Sequence, residues 1–157
     1  MSDFLCDPQL FTNTAGADRR IAFTPEGGFA IRLLNDTGAN SIKGTLVEAS
    51  TAQDNAFSLS SLSDYDCMGV VYENGIAPGQ WCWIVVSGRA QVKLENNVGA
   101  THGNWVRTSA TAVGRADATA ATPPAADPTH FAEVGHCLET VAGSATGALA
   151  WVMIHFN

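Results

Sequence analysis

Trp81-Cys82-Trp83-Ile84-Val85-Val86, then Ser87-Gly88-Arg89, then Ala90-Gln91-Val92-Lys93-Leu94 is the stretch on which the fold turns. β-Branched and aromatic side chains fill both runs, and a short Gly-containing link separates them, the pattern of two antiparallel strands joined by a tight turn. The spacing predicts a β-hairpin. Within its first run, alternation sets Cys82 on the face opposite the two indole rings.

The same texture extends in both directions. Upstream, Ile21-Ala22-Phe23 is followed by Pro25-Glu26-Gly27-Gly28, by Phe29-Ala30-Ile31-Arg32-Leu33-Leu34 and by Asn35-Asp36-Thr37-Gly38. Strand-length apolar runs alternate with turn residues. Residues 43–49, 56–60 and 67–72 add three candidate strands, with Asp64 and Asp66 capping a turn before the third. Downstream, residues 134–140 and 148–156 are strands. In the closing one Trp151, Met153 and His155 share one face and Val152, Ile154 and Phe156 the other, so it reads as buried on both sides, inside a sheet. No window carries an i, i+3, i+4, i+7 apolar stripe free of Gly or Pro, and no long helix is expected.

Two stretches lack a period. Residues 1–19 mix Pro8, Asn13 and Gly16 with scattered apolar side chains and read as an extended arm that docks on a neighbour by strand addition. Phe4, Leu5, Leu10 and Phe11 are its candidate contact residues. Residues 110–128 hold eight alanines with Pro123, Pro124 and Pro128 and read as a surface loop that adds little core. The expectation is therefore an all-β chain: a single domain over residues 20–157, an antiparallel β-sandwich or small barrel of about eight to ten strands, with an extended N-terminal arm.

The 157 residues suit one domain, which at this size buries roughly two-thirds of its unfolded surface without metals or disulfides. Only 15% of residues are charged, which excludes a disordered chain and a charge-laced helical bundle. Fifteen acidic against eight basic side chains give a net charge of -7, which argues against a nucleic-acid partner. No run approaches the ~18 apolar residues of a membrane span, so no membrane partner is expected, and the N-terminus lacks the basic start of a secretory leader. Cys6, Cys67, Cys82 and Cys137 are widely spaced and read as free thiols packed as small hydrophobes in a reducing cytosol.

Catalytic motifs are missing. There is no phosphate-binding glycine loop, no G-x-S-x-G elbow, and no i, i+4 pair among His102, His130, His136 and His155. Asp64-Tyr65-Asp66 begins like a calcium loop, but Gly75 stands where a bidentate Glu is needed. No catalytic residue, cofactor or metal site is expected. His136 and His155 read as hydrogen-bonded core or interface histidines. Trp81, Trp83 and Trp105 are candidate interaction residues, an aromatic surface for a sugar or a partner, with burial in the core as the competing reading.

Thr24-Pro25-Glu26-Gly27-Gly28-Phe29-Ala30-Ile31-Arg32-Leu33, the segment from Gly69 through Asn74-Gly75-Ile76-Ala77-Pro78-Gly79-Gln80 to Trp83, Glu133-Val134-Gly135-His136-Cys137-Leu138-Glu139, and the ending Ile154-His155-Phe156-Asn157 carry a resemblance. Together they resemble small structural proteins of tailed bacteriophages, similar to head decoration or cement proteins, which coat the outside of the shell as β-rich trimers or monomers. The resemblance implies a non-enzymatic virion protein, made in the host cytoplasm, that binds and stabilises the outer capsid surface. Its partners would be the major capsid protein and further copies of itself, a trimer among the options. A host-facing adhesion or glycan-binding module akin to a head fibre, and a tail or neck component, are the alternatives.

Overall fold

The computed structural model describes residues 20–120 and 130–156. The expected arm, with Phe4, Leu5, Leu10 and Phe11, lies outside the described residues, as does the part of the Ala/Pro-rich stretch beyond residue 120.

The chain is all-β. Ten strands are described: β1 Ile21–Phe23, β2 Gly28–Asn35, β3 Leu46–Ala49, β4 Ala56–Leu59, β5 Gly69–Val71, β6 Trp81–Lys93, β7 Trp105–Thr108, β8 Ala116–Ala120, β9 Glu133–Cys137 and β10 Leu149–Ile154. They form one sheet in the order β1-β2-β4-β3-β5-β6-β10-β9-β7-β8, and a further pairing of β2 with β6 closes β2, β4, β3, β5 and β6 into a hydrogen-bonded circuit. The sheet is mixed: β2 and β4 run parallel through Leu34↔Ala56 and Asn35↔Phe57, whereas the other strand pairs are antiparallel.

The core has two parts. Val47, Phe57, Val71, Cys82 and Ile84 form the smaller cluster, with Ile31 and Leu33 packed against it. The larger one gathers Leu46, Val70, Val85, Val92, Leu94, Val106, Val134, Val152 and Ile154 with several alanines. Consecutive residues such as Leu46/Val47 and Val70/Val71 point to opposite clusters, so β3 and β5 lie between two apolar layers and read as continuous hydrophobic runs.

Three expectations are corrected. Residues 81–93 form a single thirteen-residue strand, not a hairpin. Against β2, Phe29 pairs with Ser87 but Ala30 with Val85, so Val86 is an extra residue in a β-bulge. The bulge breaks the alternation where the sequence suggested a turn. Even-numbered Cys82 and Ile84 face the small core before it, and even-numbered Ala90 and Val92 face the large core after it. Gly88, at φ +87°, follows the bulge, and a Cβ there would lie 2.5 Å from the Gly27 carbonyl oxygen.

The stretch expected as a loop over residues 110–128 contains β8. Ala116 and Ala118 are fully buried in the large core. Their methyl groups fit where the sheet packs closely, and for the same reason they give almost no hydrophobic signal. The turn before β8 is tied to the other end of the sheet, with the Gly114 N–H donating to the Ser60 carbonyl and the Leu46 N–H donating to the Gly114 carbonyl, both at 2.9 Å.

β10 does lie inside the sheet, between β6 and β9. It is buried on one face only: Ala150, Val152 and Ile154 point inward, while Met153 and His155 are exposed. A large apolar side chain on a solvated face is ordinary.

Candidate interaction surface and histidine cluster

Trp81 and Trp83 project from β6 on the side away from Cys82, as alternation predicts, and both are half-buried. Arg20 lies over the Trp81 ring and Arg32 over the Trp83 ring, each guanidinium 5.5 Å from the ring centroid. Arg32 and Trp83 are direct cross-strand partners, so the register of β2 on β6 sets this contact. The pattern repeats further along the sheet, with Arg89 4.2 Å over Trp151. Guanidinium groups therefore cover faces of three indoles, giving a surface of cation–π pairs. Trp105 is different. It is 1% exposed, in the core of β7, and its indole N–H is buried without a hydrogen-bond partner. Its ring is buried, with the Arg107 guanidinium 5.9 Å from its centroid, and it forms no part of an exposed aromatic surface.

Two apolar features missed in the sequence lie at the surface. β1 is an edge strand among the described residues, pairing only with β2, and its Ile21 and Phe23 are exposed. Exposed Ile42, Leu59 and Val113 surround a groove of about 220 Å³ that also takes in Phe57 and Arg115. Their positions 42, 59 and 113 come from three separate segments, and no sequence period links them.

The three described cysteines, Cys67, Cys82 and Cys137, are not reactive centres. Burial pushes the Cys67 thiol up to about 12 and the Cys82 thiol up to about 11, and it raises Cys137 as well. None of the three presents a thiolate at neutral pH. Asp64 Oδ1 accepts the Asp66 N–H at 2.8 Å, the turn that the sequence implies.

One cluster of ligand-type side chains was not expected. Between β7 and β9, Val106 pairs with Gly135 and Arg107 with Glu133, so β9 also carries a bulge, around Val134. The bulge shifts the alternation by one residue. Val134 and Cys137 both join the large core, and Glu133 and His136, which a regular strand would send to opposite faces, lie together on the other side. His155, just beyond β10, completes the group. His136 Nδ1 is 3.1 Å from His155 Nε2, and the rings stack with centroids 5.3 Å apart. Glu133 Oε1 lies 3.6 Å from His136 Nδ1 and 3.5 Å from His155 Nε2, and Glu133 Oε2 lies 3.2 Å from His130 Nδ1. The carboxylate is buried, while the three imidazoles are about half-exposed. His136 and His155, expected as hydrogen-bonded core or interface histidines, contact each other and are half-exposed, so neither is a core residue. The signal that would have found the site is Gly135, a glycine inside a strand pattern.

No protein-family model matches the chain, and no curated protein does. Among solved structures, the N base of the head fibre gp8.5 of bacteriophage phi29 has a similar fold, with a TM-score of 0.51 at 15% identity, covering 80% of this chain and 92% of that one. At this identity the likeness is one of fold.

Proposed function

We propose that this chain is a structural protein of a tailed-phage head that binds the outer surface of the capsid shell and stabilises it, acting by binding and not by catalysis. The observation that carries the reading is the fold shared with nearly the whole N base of a phage head fibre. The acidic, charge-poor composition and the sequence resemblance support it. Its partners are the major capsid protein and further copies of itself, a trimer being the arrangement that gives multivalent attachment. It works without nucleic acid or membrane, at the virion surface, after synthesis in the host cytoplasm. Binding to the assembled lattice and not to free subunits adds its free energy to the assembled state by mass action. The edge strand β1, next to residues 1–19, is suited to main-chain pairing with a neighbour.

The identity of the neighbour favours a second reading, in which the domain is the attachment base of a head fibre. Both readings are tested by sedimenting purified protein with heads of the phage that encodes it. Saturable co-sedimentation is the expected result under both. Protein that stays in the supernatant at micromolar concentration contradicts both.

A further inference from the structure

We propose that Glu133, His136 and His155 form a zinc site on the outer face of the β9–β10 pair. This inference does not depend on the role at the phage head. Three ligand-type atoms, Glu133 Oε1, His136 Nδ1 and His155 Nε2, lie within 4.8 Å of one another. The triangle they make has edges of 3.1, 3.5 and 3.6 Å. A point equidistant from all three lies about 2.0 Å from each, the length of a zinc bond to imidazole or carboxylate. Tetrahedral zinc with such bonds separates its ligands by about 3.3–3.4 Å, close to the mean of these edges. Octahedral geometry with bonds of about 2.0–2.1 Å brings neighbouring ligands to about 2.8–3.0 Å, shorter than all three edges.

The donor set decides the kind of ion. Two imidazole nitrogens and one carboxylate suit zinc, whereas calcium and magnesium prefer oxygen ligands throughout. Three protein ligands leave a fourth position, and with His136 and His155 half-exposed it opens to water. The arrangement is built into the backbone. The β9 bulge turns Glu133 to the side of His136, and Gly135 allows β10 to come close enough to bring His155 beside them, since a Cβ at Gly135 would lie 2.0 Å from the Met153 carbonyl oxygen. Glu133 and His136 are thus held on a strand and His155 directly follows one, which limits the reorganisation needed to bind an ion.

The test is a calorimetric titration of chelator-treated protein with Zn²⁺, repeated on His136→Asn and His155→Asn, with the imidazole nitrogen resonances followed by NMR in the unmodified protein. The expected result is one saturable site per chain, a loss of affinity of at least about tenfold in each variant, and movement of His136 Nδ1 and His155 Nε2 on addition of Zn²⁺. Both replacements are at half-exposed positions, and the NMR readout needs no variant at all. The proposal is overturned if binding does not saturate, if it survives both substitutions, or if these two nitrogens do not shift while zinc binds.

Discussion

β6 and β9 each carry a glycine at positive φ in a bulged strand, and the two bulges achieve different things. In β6 the extra Val86 moves the even-numbered side chains from the small core to the large one, so one thirteen-residue strand serves both. In β9 the extra residue keeps Val134 and Cys137 in the large core while placing Glu133 and His136 together on the opposite face. A single-residue shift in alternation is thus used once for packing and once to assemble polar groups. Bulges commonly re-aim side chains in this way.

The largest expected effect is at Gly135. Gly135→Val puts a branched side chain where a Cβ already meets the Met153 carbonyl at 2.0 Å. Backbone strain and overpacking together are expected to cost about 3–6 kcal/mol, comparable with the whole stability of a small domain. Urea unfolding measures this, and a midpoint equal to that of the parent chain contradicts the β9 geometry. Next is Phe57→Ala, which removes the largest side chain of the five-residue core and is expected to cost about 3–5 kcal/mol. A loss under 1 kcal/mol means that the small core is not a separate packed unit.

Gly88→Ala comes third. The added Cβ meets the Gly27 carbonyl oxygen at a backbone φ of +87°, and a loss of about 1–3 kcal/mol is expected. An unchanged melting temperature would mean that the bend after the β6 bulge is soft. The smallest effect is at the surface: Arg89→Ala removes the guanidinium over Trp151 and is expected to lower stability by about 0.5–1 kcal/mol, with a change in tryptophan fluorescence.

Much of the fold can be read from the residues themselves. The alternation in residues 29–34 and 81–86, the turn residues between them and the absence of a helical stripe all lead to an all-β chain. β8 was hidden because Ala116 and Ala118, although fully buried, are too small to produce a hydrophobic period. The continuity of β6 was hidden because a bulge interrupts alternation much as a turn does, and Ser87-Gly88-Arg89 fits either. The mixed sheet was hidden as well, since the parallel β2–β4 pairing rests on two residue pairs distant in sequence. Of the candidate contact residues, Trp81 and Trp83 were placed on the correct face of their strand, whereas Trp105 gave no local sign of its burial. The histidine cluster was illegible because residues 133 and 136 share a face only after the β9 bulge, and residue 155 joins them only through the β9–β10 register.

Electron cryo-microscopy of heads incubated with the purified chain is the most direct test of the proposed role. The expected result is extra density at regular positions on the outer shell, each copy fitted by the ten-stranded sheet with the same face toward the capsid. Bare shells at saturating protein concentration, or density confined to the tail, would contradict it.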